Sequence, residues 1–470
     1  MLFNSFVFIF AFLPITFLVY FGLNRMRHYT AAKVALVVAS LYFYAFFNWS
    51  YLPIILSSIA VNYLVAWRMK VDEERWMRKL WMIVGVAFNI GMIGYFKYFD
   101  FFIENVNALF KTDFTLRNIL LPLGISFFTF QQVAFVVDSY RRKTELPRFL
   151  DYCNFVTFFP QLIAGPIVLP EEMLPQFEDK AKRRVNYENM FNGLFIFALG
   201  LGKKVLIADS IAVFANTGFD LMSSYTMAEA WLTSLAYSFQ LYFDFSGYCD
   251  MAIGIGLMFN IKLPLNFNAP YRACDFQDFW RRWHMTLNRF LTQYLYIPLG
   301  GSRKGEVRTL INIFIVFLVS GIWHGAGWTF IVWGILHGLT MIVNRLWKKY
   351  GVSLPNWIAI PLTFFFVNIF WVFFRADSLS DAMLIVSSMF DNMDLTLTND
   401  YRYKLSTILP NKMNMMILFG AFILGVVGKT AYQWMETKGY YRWKSVVTIM
   451  TFFVGCLFIS RVVTFLYFNF

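Results

Sequence analysis

The chain has 470 residues, of which 59% are hydrophobic and only 15% charged, with 57 phenylalanines and 15 tryptophans. Soluble globular proteins carry about 25% charged residues, so the composition excludes an ordinary soluble fold, and the apolar content excludes disorder. The net charge of +13 does not read as a nucleic-acid surface, because the basic residues fall in short clusters between long apolar runs, as in loops between membrane helices. Cys153, Cys249, Cys274 and Cys456 include no CxxC pair, so neither a disulfide framework nor a zinc knuckle is expected. The first apolar run starts at Leu2 with no positively charged residues before it, which predicts a retained membrane segment, not a signal peptide.

A membrane helix takes about 20 mostly apolar residues. Residues 2–24 supply the first, and the uncharged run 34–67 divides into two at Asn48 to Pro53. Residues 81–96 and 118–137 follow as further expected spans. The segment 154–170 differs: Pro160, Gly165, Pro166 and Pro170 argue against a continuous helix. Its basic flanks, Arg141, Arg142 and Lys143 before and Lys180, Lys182, Arg183 and Arg184 after, fit a re-entrant element enclosed by protein. Residues 190–215 and 230–261 are the next expected spans. The run 309–344 is too long for one span, and Gly321, Gly325 and Gly327 predict two elements with a break between them. Residues 351–374, 413–428 and 446–470 complete the series. The basic loops 25–33, 68–80, 141–148, 180–184, 272–308, 345–349 and 429–444 are expected on the cytoplasmic side, and Asp391, Asp394 and Asp400 on the outer side. The expected topology has both termini outside and about ten spans. No strong internal repeat points to an inverted-repeat transporter.

Histidines are scarce: His28, His284, His324 and His337. Ionisable groups inside membrane segments are costly and mark function by default. His324 stands in Ser320-Gly321-Ile322-Trp323-His324-Gly325-Ala326-Gly327-Trp328, where small neighbours let a substrate or another backbone approach the imidazole. The residues alone leave two readings open, a general base or a histidine bonded between packed helices. His337, in Trp333-Gly334-Ile335-Leu336-His337-Gly338, has no break around it and reads as helix packing. His284 lies in the amphipathic segment Phe279 to Phe290 beside Arg281, Arg282 and Arg289. That segment reads either as an interfacial anchor or as a site for a phosphate-bearing or thioester donor with the arginines as anion contacts. The glycine-rich basic loop Gly300-Gly301-Ser302-Arg303-Lys304-Gly305 follows. It has the character of a phosphate-wrapping turn but lacks the Walker spacing, and a plain turn remains open. Asp244 and Asp250, in Tyr242-Phe243-Asp244-Phe245-Ser246-Gly247-Tyr248-Cys249-Asp250, ask for partners inside an apolar stretch, and structural ion pairing is the expected role. The histidines have no short ligand spacing and no clustered carboxylate, so no metal site is expected.

In order along the chain these segments resemble the membrane-bound O-acyltransferase superfamily, and within it the branch typified by alginate O-acetylation proteins. The resemblance rests on Leu121 to Gln131, Phe159 to Ile167, Asp244 to Tyr248, Pro264 to Tyr271, Phe279 to His284, Tyr294 to Gly301, Ser320 to Gly325, His337-Gly338 and Phe373 to Ala376. It implies an all-α, polytopic bundle with a central funnel, forming one integral-membrane domain over 1–470 with its core motifs in about 118–345. It assigns His324 as the catalytic histidine and His284 as the second characteristic one.

The implied reaction moves an acyl group, acetyl in this branch, from a cytoplasmic thioester to a hydroxyl outside. The expected donor is acetyl-CoA or an acyl-carrier thioester, with no permanently bound cofactor. Arg281, Arg282, Arg289, Asn288, Arg303 and Lys304 are the expected donor contacts, and Asn288 and Tyr296 are candidate donors to the oxyanion. The expected partners are a polysaccharide acceptor or a periplasmic acetyltransferase, and membrane lipid. The expected location is the bacterial cytoplasmic membrane. Val168-Leu169-Pro170, Thr292-Gln293 and Cys249 depart from the branch pattern, which puts an alginate acceptor in question. D-alanyl transfer to teichoic acid and non-enzymatic transport of a lipid-linked intermediate are the alternatives.

Overall fold

The computed structural model describes residues 1–221, 223–391, 393–406, 411–437, 439 and 441–459, and its regular structure among them is helical. Among the described residues six helices are long and apolar enough to cross a membrane: Phe8–Arg25, Trp49–Val71, Arg75–Phe110, Glu306–His324, Trp328–Tyr350 and Asn356–Arg375. This is fewer than the expected ten, for two physical reasons. The expected span 190–215 carries Lys203, Lys204 and Asp209, and the helix Met227–Met258 is loaded with polar groups such as Thr233, Ser238, Gln240 and Asp244. The apolar helices Tyr29–Ala45, Leu379–Ser388 and Met415–Val426 are short, and the last expected span, 446–470, runs past Ile459 outside the described residues.

The break at Asn48 to Pro53 is present. Asn48 caps a short turn by accepting from the Ser50 amide at 2.9 Å, and the helix Leu52–Val71 starts on Pro53. The span placed at 81–96 is the core of a 36-residue helix, Arg75–Phe110, which at 1.5 Å per residue is about 54 Å long and outreaches a hydrocarbon core of about 30 Å. The span placed at 118–137 begins late, at Ile125–Tyr140, because Gly124 holds a left-handed φ of 69°.

The contacts divide the chain into two compact units, Met1–Phe197 with Cys249–Pro264, and Ala198–Tyr248 with Leu265–Phe470. In the first unit the proline-rich segment is broken as its composition requires, into Phe149–Thr157, Phe159–Leu162 and Pro170–Glu178. Residues 151–170 are buried throughout, as irregular backbone inside a membrane protein must be. A Cβ on Gly124 would lie 2.7 Å from the Leu162 carbonyl oxygen, so the glycine that precedes the helix Ile125–Tyr140 seats the backbone of the proline-rich segment. Helices Leu52–Val71 and Arg75–Phe110 are tied by a reciprocal amide pair: Asn89 Nδ2 donates to Asn62 Oδ1 at 2.6 Å and Asn62 Nδ2 to Asn89 Oδ1 at 3.2 Å.

In the second unit the run 309–344 forms a hairpin, Glu306–His324 and Trp328–Tyr350, broken at residues 325–327. Gly321 is not part of the break; it lies inside the first helix and permits close backbone contact. A Cβ there would sit 2.4 Å from the Phe330 carbonyl oxygen and 2.9 Å from Gly334 Cα, and one on Gly334 would sit 2.7 Å from the Phe317 oxygen. Backbone atoms cannot move aside like a flexible side chain, so Gly321→Val is expected to force the hairpin open. Such overpacking costs about 1–3 kcal/mol or more. The expected result is a lower thermal midpoint together with lost turnover, whereas Gly22→Ala, at a position with nothing within 4 Å, leaves both unchanged.

Candidate functional site

Three of the four histidines lie in the second unit. His324 is the last residue of the helix Glu306–His324 and is 4% exposed. Its imidazole is walled by aromatic rings, with centroids at 4.8 Å for Trp323, 5.1 Å for Trp333 and 5.1 Å for Phe374. The chain leaves the helix through Gly325, where a Cβ would meet the Phe330 ring at 2.1 Å. Phe330 in turn packs edge-on against Phe374 at 5.2 Å. The small residues that flank His324 in the sequence therefore admit an aromatic side chain from the next helix, and that ring helps close the wall around the imidazole.

His284 is fully buried and breaks the amphipathic segment Phe279 to Phe290. Two short helices, Phe276–Arg282 and Met285–Leu291, flank it, and its φ is +44°. A left-handed histidine is uncommon, and such strained positions cluster at functional sites. Asn266 holds the turn: its Oδ1 accepts from the Thr286 amide at 3.2 Å and from the Thr286 hydroxyl at 2.8 Å, and it lies 3.1 Å from His284 Nδ1. An oxygen at that position requires Nδ1 to be the protonated nitrogen, leaving the lone pair on Nε2. Burial pushes the His284 imidazole down to about 3, so it is neutral at physiological pH. The Trp323 ring bridges the two histidines, 4.8 Å from His324 and 6.4 Å from His284. Phe245, from the Asp-Phe-Ser-Gly-Tyr motif, packs edge-on to His284 at 4.9 Å.

His337 has the packing role read from its surroundings. Its Nδ1 accepts from the Trp280 indole at 3.3 Å, and Trp333, Phe370 and Trp280 surround it at 4.6, 4.9 and 5.1 Å.

The expected donor contacts are dispersed in their present partners. Arg282 Nε is paired with Asp278 at 2.8 Å, and Asn288 Nδ2 donates to the Trp280 carbonyl at 3.0 Å. Arg281, Arg303 and Lys304 are exposed, while Arg289 is half-buried. The glycine-rich loop is a tight turn with left-handed Gly300, Gly301 and Gly305; Gly301 donates to the Tyr296 carbonyl at 2.9 Å, and Asn312 Nδ2 donates to the Gly301 carbonyl at 2.9 Å.

Asp244 is ion-paired, as expected of a carboxylate in an apolar stretch. Lys204 Nζ lies 2.8 Å from Asp244 Oδ1 and 2.7 Å from Asp209 Oδ1, and all three side chains are buried. Lys204 sits in a π-helical segment, Lys203–Ala208, between Tyr187–Gly202 and Asp209–Leu221, and such insertions recur at functional sites. A Cβ on Gly247 would lie 2.8 Å from the Gly200 oxygen, so the glycine of the same motif lets the two backbones close on the ion cluster. The expected span 190–215 contains Lys203, Lys204 and Asp209. Their presence in an apolar run was the available signal. Asn266 and Phe374 lie within the segments Pro264 to Tyr271 and Phe373 to Ala376, and Trp333 beside His337, but nothing in those segments ties any of the three side chains to His284 or His324.

Comparison with known proteins shows the family. Residues 101–379 match the model of the membrane-bound O-acyltransferase family. The chain is 50% identical over 419 residues to a peptidoglycan O-acetyltransferase of Helicobacter pylori, covering 83% of this chain and 80% of that protein. It is 38% identical over 413 residues to a probable alginate O-acetylase of Pseudomonas putida, covering 86% and 84%. A teichoic acid D-alanyltransferase of Bacillus subtilis is 28% identical over 271 residues, covering 53% and 68%. With a multi-helix membrane fold, a buried Trp-His-Gly element and these relatives in hand, the chain belongs to the membrane-bound O-acyltransferase family and is an O-acyltransferase.

Proposed function

We propose that the protein transfers an acetyl group from a cytoplasmic thioester to a hydroxyl of a cell-wall glycan of the peptidoglycan type, at the bacterial cytoplasmic membrane. The observation that carries the reaction is His324, a buried imidazole at a helix C-terminus in an aromatic chamber. His324 takes the proton of the acceptor hydroxyl as the oxygen attacks the thioester carbonyl. The carbon–sulfur bond breaks, the thiolate receives that proton, and an ester and a free thiol result. The last-turn carbonyls of the helix carry partial negative charge and stabilise the imidazolium formed in between. The water-poor aromatic walls protect the thioester from hydrolysis.

His284 serves as a positioning residue, because a neutral ring clamped by Asn266 can accept a hydrogen bond but is a weak base. The basic 272–308 region recruits the donor on the cytoplasmic side, with Arg281, Arg289, Arg303 and Lys304 as its anion contacts and Arg282 and Asn288 re-pairing when the donor arrives. Acetyl-CoA or an acyl-carrier thioester fits that recruitment.

A glycan of the peptidoglycan type is favoured over alginate because the relative named for peptidoglycan shares 50% identity and the one named for alginate 38%. The test is acceptor choice by the purified protein in nanodiscs. With labelled acetyl-CoA and any required periplasmic partner supplied, label is expected as alkali-labile ester on peptidoglycan glycan strands. Ester only on alginate oligomers, or consumption of a D-alanyl carrier thioester in preference to acetyl-CoA, overturns the assignment.

A further inference from the structure

The hairpin Glu306–His324 and Trp328–Tyr350 returns on itself, so residues 306 and 350 lie at the same membrane face, and Lys349 Nζ reaches Glu306 Oε2 at 2.5 Å. Between these helix ends opens a cavity of about 510 Å³. Its lining combines an apolar part, Ile313 and Met341, with the cations Arg345, Lys348 and Lys349, and Glu306, Asn344 and Ser302 line it too. The cations are not equivalent. Lys348 is held by Asp275 at 2.8 Å and Gln277 at 3.0 Å, and Lys349 by Glu306. Arg345 is exposed and makes no ion pair among the described residues.

The surroundings are those of a hydrocarbon boundary. Ile311, Leu339 and Val343 are exposed on the flanks of the same two helices. Trp347, 48% exposed, donates its indole N–H to the Val352 carbonyl at 2.9 Å, as an interfacial tryptophan does. A soluble phosphate would use the cations and leave Ile313 and Met341 to water. A ligand with a phosphate at one end and an acyl chain at the other uses both, and basic pockets between helix ends on a membrane face suit anionic headgroups.

We propose that this cavity is a binding site for an anionic phospholipid of the phosphatidylglycerol class. Its phosphate pairs with Arg345 and Lys348, its headgroup hydroxyls meet Ser302 and Asn344, and one acyl chain leaves along Ile313 and Met341 onto the lipid-facing helix surface. Arginine suits the phosphate because its planar fork binds two oxygens at once. The site is separate from the His324 chamber, which lies at the opposite end of the helix Glu306–His324.

The test reconstitutes the full chain in nanodiscs of equimolar phosphatidylcholine and phosphatidylglycerol, extracts it gently, and counts retained lipids by native mass spectrometry. Wild type is expected to retain phosphatidylglycerol selectively. Arg345→Glu is expected to weaken that retention by at least about fivefold, the effect of one cation at an anionic surface. Met341→Trp, which fills the apolar part without changing charge, is expected to weaken it as well. Retention is expected to survive added coenzyme A and inorganic phosphate. Equal retention of the two lipids, no response to either variant, or displacement by coenzyme A or inorganic phosphate overturns the proposal, the last by assigning the cavity to a soluble phosphate.

Discussion

His324→Ala is expected to lower acetyl transfer by about 10²–10⁴-fold, the range that a positioned general base supplies. The chamber makes a bystander role for this side chain unfavourable. Trp323, Trp333 and Phe374 present ring faces and edges to the imidazole, an environment that an apolar side chain would fill at lower desolvation cost. The measurement is release of free thiol from labelled acetyl-CoA by protein that elutes as a single folded species. Truncating the imidazole also leaves a cavity, so a loss of activity alone could reflect slackened packing. Added imidazole separates the two: it restores part of the turnover if a base is missing and does nothing for a distorted fold. His337→Gln is the paired control. That ring accepts a hydrogen bond from Trp280, and its loss is expected to cost about 0.5–1.5 kcal/mol of stability while transfer persists. Full turnover by folded His324→Ala protein removes His324 from the chemistry.

The membrane character, the helical class, the break at residues 325–327 and the irregular path of the proline-rich segment were all legible, because each depends on a local property: apolar run length, glycine content, or a missing amide proton. Residues that matter by where they meet others were not legible. His284 looked like a member of one amphipathic helix, since its neighbours have helical spacing. Tertiary bonds from Asn266, 18 residues earlier, hold it in the left-handed conformation that divides that helix. The described residues supply six helices of spanning length and apolarity, not ten, for a related reason. Absence of charge was weighed, but the cumulative polarity of Thr233, Ser234, Ser238 and Gln240 was not. Thr233, Ser234 and Ser238 find partners far along the chain: Thr233 lies 3.4 Å from the Tyr401 hydroxyl, and Asn368 donates to Ser234 and accepts from Ser238 at 3.0 and 2.7 Å. The two histidine motifs, 40 residues apart, meet through the Trp323 ring, a meeting that no spacing rule predicts.

Lys204→Met is expected to be among the most destabilising single substitutions in the second unit. Lys204 stands between Asp209 and Asp244, with side-chain exposures of 4%, 6% and 1%. Removing the cation leaves two carboxylates facing each other in the dry interior. Loss of one partner from a buried pair costs about 3–5 kcal/mol, most of it the penalty of the stranded charge. The expected readout is a large drop in the thermal midpoint of purified protein, or failure to recover folded protein at all. Because failure to fold is uninformative by itself, the decisive variant is Lys204→Met combined with Asp209→Asn and Asp244→Asn, which removes all three charges together. Buried ion clusters replaced by neutral groups are often tolerated, so the triple variant is expected to recover most of the lost stability. If it folds but turns over poorly, the cluster contributes to transfer beyond holding the fold, in keeping with the π-helical segment that carries Lys204. If Lys204→Met alone is as stable as wild type, the two carboxylates are not held as a charged pair around it, and the structural role assigned to the Asp-Phe-Ser-Gly-Tyr motif fails with it.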